Sequence, residues 1–361
     1  MALTAKDLQD AHIQTPIMVG GAALSRKFTN NKIAPNYKGL VLYAKDAMTG
    51  LSLANEIREP SRYSELFQAQ ISRTAQTTKE EAQLIKKYSE PAVGVKTVQE
   101  APIFQPQDLK RHLITNISFH HIEPYINRKM LLYHLGVKNQ KRELTNEKLE
   151  KVNILLDSLI HEIIKNNWIQ PKATYQFFKA NANGNNIIIM NKDDLPIEKF
   201  VFPRQEKGKN LCLADYLREK QTDYVCFFAV TAGKGIRQAA TQLKEEGRFL
   251  ESHALQAIAL ETAEGLAEYI HRQIRDKWGF PDHPTMTMEE RFAAKYQGQR
   301  FSFGYPACPN LEDQAKLFRL IQPEDIEIEL TEGYMMEPEA SVTAMVFSHP
   351  EARYFNVHSS S

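Results

Sequence analysis

The chain of 361 residues carries 45 basic and 44 acidic side chains, for a formal net charge of +1, so bulk charge gives no reason to expect a nucleic-acid partner. Its three cysteines lie far apart without a Cys-x-x-Cys pair, which argues against a disulfide framework or a cysteine zinc site and favours a reducing cytoplasm. No window approaches the roughly 18 apolar residues that a membrane helix needs, and residues 1–14 do not form a signal or transit peptide.

Residues 1–59 are predicted to form a partial βαβ unit. Residues 17–19 and 39–44 are short apolar stretches that indicate strands, with helices over 23–33 and 49–57. This order predicts a parallel sheet, and ligands of such folds bind where a strand ends in a glycine turn. Gly20-Gly21 makes such a turn, although a purely structural turn explains the same residues.

Residues 60–105 are interpreted as a linker, because they are polar, have few apolar positions and are interrupted by Pro91 and Pro102. One or two exposed helices are expected there. From residue 106 to residue 361 the chain becomes a compact α/β mixture. The predicted elements are a packing helix at 147–167, a hairpin around 183–184, a buried strand at 223–231, a long helix at 255–274 and a half-exposed strand at 326–330.

The long helix has a second, polar face beside its apolar stripe. Glu264, Glu268 and His271 share this face at spacings of four and three residues. A spacing of Glu-x-x-His also occurs in di-iron bundles, but no second copy exists to complete such a site, so no metal is predicted. A solvated face is the alternative interpretation.

The stretch from Tyr296 to Pro309 is predicted to be an irregular ligand loop, because two glycines and two prolines interrupt it. Its aromatic rings offer stacking faces, and Arg300 offers a planar fork for a carboxylate. The alternative is that the aromatics fill the core while Arg300 is solvated. No catalytic residue is predicted: Cys308 lacks a base, and Asp215 is interpreted as a local cap or ion-pair partner.

Arg-x-x-x-Gly-Tyr-Pro-Ala-Cys-Pro, from Arg300 to Pro309, resembles the signature of the S-adenosylmethionine-binding activation domain of cobalamin-dependent methionine synthase. Similar segments follow the family's order at residues 177–181, 211–216 and 347–350. The resemblance implies an α/β chain: an α+β activation domain at 106–361, with a central, mainly antiparallel twisted sheet and surrounding helices, preceded by a partial Rossmann-like βαβ segment.

The resemblance also implies a site for S-adenosylmethionine. Arg300 would hold the ligand carboxylate, and Glu264 would accept ribose hydroxyls or neutralise the cationic ligand. Asn127 and Ala294 stand where the family has acidic residues, which predicts weaker binding because charge-assisted hydrogen bonds are the stronger ones. Asn127 can also be a helix cap. The implied binding residues are Asn127, Glu264, Arg300, Gly304, Tyr305, Ala307 and Tyr354.

Residues 1–59 resemble the end of the family's cobalamin domain. The positions implied to contact the cobalamin tail are Gly20, Gly21, Ala22, Asp46 and Ala47. The family's cobalt-ligating histidine motif is absent, so cobalamin would be shared with another polypeptide or segment. Both ends look truncated, and we therefore expect a fragment of a longer product or one half of a split enzyme.

The implied function is the reductive reactivation module of a methyltransferase, in which cob(II)alamin is remethylated to methylcobalamin from S-adenosylmethionine. The implied partners are the cobalamin, homocysteine and folate modules of methionine synthase and a flavodoxin-like or diflavin reductase. Two alternatives remain: a degenerate, non-catalytic S-adenosylmethionine-binding module, and an unrelated S-adenosylmethionine methyltransferase.

Overall fold

The structure is a computed structural model that describes residues 2–20, 26, 29–44, 47–72, 101–135, 146–205 and 208–357. The chain divides into two compact units. One comprises Met1–Pro91 with Thr331–Met335, and the other comprises Ala92–Leu330 with Met336–Ser361. The predicted division at residues 59 and 105 stays a prediction.

The first unit is built around two parallel strands. The elements are α1 (Ala2–Asp10), β1 (Ile17–Gly20), a π-helix (Thr29–Ile33), a 3-10 helix (Ala34–Asn36), β2 (Val41–Ala44), α2 (Ala47–Glu56) and helical residues 60–72, here called α3. Ile17 pairs with Val41 and Gly20 with Ala44, in parallel, as the strand–helix–strand order predicts. The predicted helix over 23–33 lies partly outside the described residues, and its described end is the π-helix.

The second unit contains one large sheet with helices on both faces. Its elements up to the sheet centre are β3 (His112–Ile114), α4 (Phe119–Ile122), α5 (Arg128–His134), α6 (Asn146–Asn166), β4 (Lys172–Asn183), β5 (Asn186–Met190), β6 (Pro196–Val201) and β7 (Asp223–Thr231). After these come α7 (Gly235–Glu245), α8 (Phe249–Trp278), α9 (Met288–Phe292), β8 (Gln299–Phe301), α10 (Gln314–Ile321), β9 (Glu329–Leu330), β10 (Met336–Glu337) and β11 (Ser341–Phe347).

The seven-stranded sheet has the order β6-β5-β4-β7-β11-β8, with β3 also paired to β4, and its ladders are antiparallel. This confirms the expected mixed α/β fold with a mainly antiparallel central sheet. Strand β7 is buried on both faces of the sheet. Successive side chains of a strand point to opposite faces, so Phe227 enters one core and Phe228 enters the other. Helix α8 covers the Phe228 side through Leu266 and Ile270, and α10 covers the opposite side.

The predicted half-exposed strand at 326–330 is wrong for most of its length. Pro323–Ile326 form a 3-10 helix, which starts at a proline and ends where Glu327 takes φ +65. A left-handed residue cannot continue an extended strand, so only Glu329–Leu330 pair, with Met336–Glu337. Within the described residues, no helix is long and apolar enough to cross a membrane.

Candidate functional site

Arg300 lies on the three-residue strand β8, so the predicted irregular loop contains a short strand. β8 pairs antiparallel with β11, where Arg300 stands opposite Val346 and Phe301 opposite Met345. Because side chains alternate across a sheet, Arg300 shares the face of Val346, which packs with helix α8. Phe301 points the other way, into the opposite core. The pairing register therefore aims the guanidinium at α8.

The guanidinium of Arg300 meets a buried carboxylate on α8. Its Nη1 donates to Oε2 of Glu268, whose side chain is 6% exposed, and the Tyr296 hydroxyl donates to the same oxygen at 2.9 Å. Burial by itself would lower the pKa of Arg300, but the Glu268 carboxylate outweighs it, and the pKa is raised above its usual range. Arg300 is therefore held as a cation.

A second arginine supports Glu268 from below. Fully buried Arg275 donates through Nη2 to Glu268 Oε1 at 3.2 Å, and it forms two hydrogen bonds to Asp282, at 2.6 and 2.8 Å. Asp282 also accepts from Arg291 at 3.1 Å. The Arg275 guanidinium lies 3.7 Å from the centroid of the Tyr296 ring, a cation–π contact. We call Glu268, Arg275, Asp282, Arg291, Tyr296 and Arg300 the arginine cluster.

His271 completes this region. It is fully buried, with Nδ1 3.4 Å from Arg300 Nη1, and its Nε2 has no hydrogen-bond partner among the described residues. Burial, followed by the charges of Arg275 and Arg300, holds the pKa of His271 well below its usual range. The interpretation of Glu268 and His271 as a solvated face is wrong, because side chains from downstream of α8 cover both.

Above the arginine cluster lies an exposed rim. Glu264 is 54% exposed, and its carboxylate lies 4.0 Å from Nη2 of Arg300. The Tyr354 hydroxyl donates to the Arg300 carbonyl at 2.8 Å, and both Tyr354 and Tyr305 are more than half exposed. Burial, followed by the charge of Glu264, raises the pKa of Tyr305. Glu264, Arg300, Tyr305 and Tyr354 are thus brought together.

A tight turn carries the rest of the predicted signature. Gly304 takes φ +90, a conformation that side chains rarely adopt, and its N–H donates to the Cys308 carbonyl at 2.9 Å. Cys308 donates back to the Tyr305 carbonyl at 3.0 Å. This ladder turns Tyr305 outward, whereas Ala307 is buried in the core. Burial raises the pKa of the Cys308 thiol to about 12, which leaves it protonated and unsuited to be a nucleophile.

The other aromatic residues of this stretch do not offer stacking faces to a ligand. Phe301 is 1% exposed and Phe303 is 5% exposed, and both belong to the core beneath the sheet. Their rings pack on Tyr216, Phe200 and Phe347. The alternative in which loop aromatics fill the core is correct for these two rings, and Tyr305 remains exposed.

Two other singled-out residues have structural partners. Asn127 caps α5: its Oδ1 accepts from the backbone N–H groups of Lys129 and Met130 at 3.2 and 3.3 Å. The structure gives no contact between Asn127 and the rim residues among those it describes. Asp215 accepts two hydrogen bonds from Arg204 and one from the Cys212 N–H, as the local interpretation predicted.

Of the five positions expected to contact a cobalamin tail, the structure describes Gly20 and Ala47. Gly21, Ala22 and Asp46 lie outside the described residues. Gly20 ends β1, and a Cβ there would lie 2.2 Å from the Ala44 carbonyl oxygen, so strand packing alone requires glycine. Ala47 begins α2. Among the described residues, no group of three or more His, Cys, Asp or Glu side chains could hold a metal ion.

The sequence analysis predicted neither the contribution of Arg275 to the site nor the burial of Glu268. The missed signal is a stripe of polar residues at spacings of three and four: Glu261, Glu264, Glu268, His271 and Arg275. A stripe that carries charges of both signs on a helix that is otherwise apolar indicates an internal ion-pair network as well as a solvated face.

Comparisons with known proteins point to one family. A model of the family "Vitamin B12 dependent methionine synthase, activation domain" matches residues 119–360. The chain is 30% identical to methionine synthase of Mycobacterium tuberculosis and 29% identical to that of Mycobacterium leprae, in each case over 95% of this chain and 32% of the relative. The chain therefore spans about a third of the length of these curated relatives.

A solved structure shares the fold. It is the crystal structure of the MetH reactivation domain bound to AdoHcy, with a TM-score of 0.67 and 26% sequence identity. The match covers 71% of this chain and 83% of that one.

Proposed function

Because the chain belongs to the family of the vitamin B12 dependent methionine synthase activation domain, we propose that it binds S-adenosylmethionine at the rim formed by Glu264, Arg300, Tyr305 and Tyr354. The proposed role is reductive reactivation, in which cob(II)alamin gains one electron and the methyl group of S-adenosylmethionine, giving methylcobalamin and S-adenosylhomocysteine. The solved reactivation domain that carries AdoHcy supports this choice of ligand.

One observation carries the proposal: the guanidinium of Arg300 is only partly used. All of its side-chain hydrogen bonds within the described part of the chain leave from Nη1. Nη2 is free to donate to a ligand carboxylate, and such a contact is charge-assisted. Glu264 lies beside it and can face the positively charged sulfonium or ammonium, while Tyr305 and Tyr354 offer exposed rings for the adenosine.

The chain's own residues bind and orient, and no side chain has to move a proton. S-adenosylmethionine supplies the methyl group on its sulfonium, and cobalamin is the substrate that receives it. We propose that cobalamin is carried by the other modules of methionine synthase, with Gly20, Gly21, Ala22, Asp46 and Ala47 contributing to its tail site. We further propose a flavodoxin-like or diflavin reductase as electron donor and the cytoplasm as the compartment.

The domain assignment in this proposal is that of the sequence: residues 1–59 as the end of a cobalamin domain, 60–105 as a linker and 106–361 as the activation domain. Gly304 and Ala307 would shape the turn that presents Tyr305. Asn127 would act on the ligand only if its side chain left the cap of α5.

Calorimetric titration with S-adenosylmethionine tests the proposal. We expect saturable binding that Glu264→Gln weakens about fivefold, because one exposed carboxylate near a cationic ligand is lost. Asp276→Asn is the matched control, since it neutralises an exposed carboxylate on the same helix outside the rim, and it should leave affinity unchanged. Absence of binding at millimolar ligand, or equal effects of the two variants, would exclude the proposed site.

A non-catalytic binding module is the second candidate. It is favoured by the engagement of Asn127 in the α5 cap, which leaves the ligand amine without that partner. Binding of S-adenosylmethionine without any remethylation of cob(II)alamin, when a cobalamin-carrying module and reductant are added, would select this candidate.

A further inference from the structure

The carboxylate of Glu268 stands between two arginines that have different freedom. Arg275 is fully buried, and three hydrogen bonds to Asp282 and Glu268 fix its guanidinium. Arg300 is fixed by Glu268 through Nη1 alone. Its side chain is 17% exposed, and Nη2 lies 4.0 Å from the exposed Glu264 carboxylate. Glu268 is therefore the group that decides which way the Arg300 fork points.

The charges of the arginine cluster are unequal. It contains three guanidinium groups, on Arg275, Arg291 and Arg300, against two carboxylates, on Glu268 and Asp282. The neighbouring His271 is buried and carries no compensating negative charge. Arg300 is the most exposed of the three arginines, at 17% against 10% for Arg291 and 0% for Arg275, and its Nη2 lies 4.0 Å from the exposed Glu264 carboxylate. Because an exposed carboxylate is screened by solvent, an anionic group that arrives there adds to the charge compensation of Arg300.

We infer that Glu268 is a positioning residue, which holds Arg300 so that its free Nη2 side selects ligands that carry a carboxylate. Tyr296 supports it, because the phenol donates to the same Glu268 oxygen that Arg300 uses. This inference rests on the proposed function, since it concerns the same site. It assigns to Glu268 a role in ligand choice, although its side chain lies beneath the rim and is almost fully buried.

Loss of the Glu268 charge has a defined consequence. Arg275 and Arg300 contact different oxygens of Glu268, and a glutamine would carry an N–H₂ donor in place of one of them, so one arginine would face a donor instead of an acceptor. Arg275 keeps Asp282, whereas Arg300 loses the one buried carboxylate that it contacts among the described residues. Its nearest remaining carboxylate is Glu264, 4.0 Å away at the surface. A fork that turns to Glu264 no longer presents Nη2 to a ligand.

The test is a comparison of two ligands that differ only by the carboxylate: S-adenosylmethionine and decarboxylated S-adenosylmethionine. Calorimetric titration of the full chain measures both. We expect Glu268→Gln to weaken S-adenosylmethionine about tenfold or more, the equivalent of one charge-assisted hydrogen bond, and to leave the decarboxylated ligand within about twofold. A merely structural role would weaken both ligands equally.

Two further variants complete the design. Tyr296→Phe keeps the ring over Arg275 and removes only the hydroxyl, so it should reduce the preference for the carboxylate in the same direction and by less. It also keeps the inference testable should Glu268→Gln not fold. Glu261→Gln is the control: Glu261 is a buried carboxylate on the same helix, paired with His134 at 3.2 Å, and its loss should not alter the ligand preference.

The outcomes separate the two claims. Wild-type protein that binds neither ligand overturns the proposed function and this inference with it. Wild-type protein that binds, with Glu268→Gln and Tyr296→Phe changing both ligands equally, overturns only the role of Glu268. Tighter binding of S-adenosylmethionine to Glu268→Gln would also overturn it, because Glu268 would then compete with the ligand for Arg300.

Discussion

Two buried arginine–carboxylate pairs lie in the same domain and differ in how fully they are used. Arg204 donates twice to Asp215, once to the Asn185 side chain and once to the Asn210 carbonyl, at 2.7 to 2.9 Å. Arg300 donates to Glu268 through a single nitrogen. The first fork uses all three of its nitrogens and four of its five N–H groups within the fold, which is the sense in which we call it saturated. The second leaves Nη2 of Arg300 without a hydrogen bond to the described residues, so this nitrogen can donate to a ligand.

The largest expected effect concerns the saturated pair. Asp215→Asn removes the charge that Arg204 faces while both remain buried, so we expect the free energy of unfolding to fall by about 3 kcal/mol. Urea denaturation measures it. Asp157→Asn is the control, because Asp157 pairs with Arg128 at an exposed position and should cost less than about 1 kcal/mol. Equal losses in the two variants would remove the distinction between saturated and surface pairs.

The second prediction concerns the pH dependence of the free energy of unfolding, to which the buried His271 beside Arg300 contributes. The pKa of His271 is lowered by burial and then by Arg275 and Arg300, so the native state stays unprotonated where the unfolded state binds a proton. The stabilisation is therefore present above the unfolded pKa and is lost as the pH falls below it. We expect about 2 kcal/mol to be lost between pH 7 and pH 5, for an unfolded pKa near 6.5.

Urea denaturation at the two pH values, for wild-type protein and His271→Gln, isolates this contribution. The variant should lack that part of the pH dependence. His120→Gln is the control, because the His120 side chain is 66% exposed, and it should keep the wild-type slope. The same slope in all three proteins would show that His271 is protonated alike in the folded and unfolded chains.

The smallest expected effect sharpens the contrast between the two forks. Arg300→Lys keeps the positive charge but loses the planar fork, so we expect affinity for S-adenosylmethionine to fall about tenfold. Arg204→Lys should leave affinity unchanged and reduce stability more, because it loses more hydrogen bonds. Calorimetry and urea denaturation on both variants measure the two effects. A larger stability loss for Arg300→Lys than for Arg204→Lys would reverse the comparison.

Much of the fold could be predicted from the sequence, because its elements carry local signals. The hairpin between β4 and β5 turns at Gly184 and Asn185, and α8 has an apolar stripe. The prediction of a strand at 326–330 was wrong because an alternating pattern over so few residues takes no account of the proline before it or of the left-handed residue within it.

The sequence predicts which residues form the candidate site better than it predicts how they are arranged. Arg300, Gly304 and Tyr305 stand in one local motif, which the sequence displays directly. The burial of Glu268 depends on Tyr296 and Arg300, which lie 28 and 32 positions downstream and arrive only through sheet pairing. Helical periodicity reports which residues share a face, but it does not report what covers that face.

The Tyr354–Arg300 hydrogen bond has a consequence for association between molecules. β8 is the terminal strand in the sheet order, and the backbone of an edge strand is a template on which another chain can add. The phenol of Tyr354 donates to the carbonyl of Arg300 at 2.8 Å, and the strand is only three residues long. Tyr354 of the ligand rim thus also occupies a backbone acceptor of the terminal strand, and we expect Tyr354→Phe to leave that acceptor to water or to another chain.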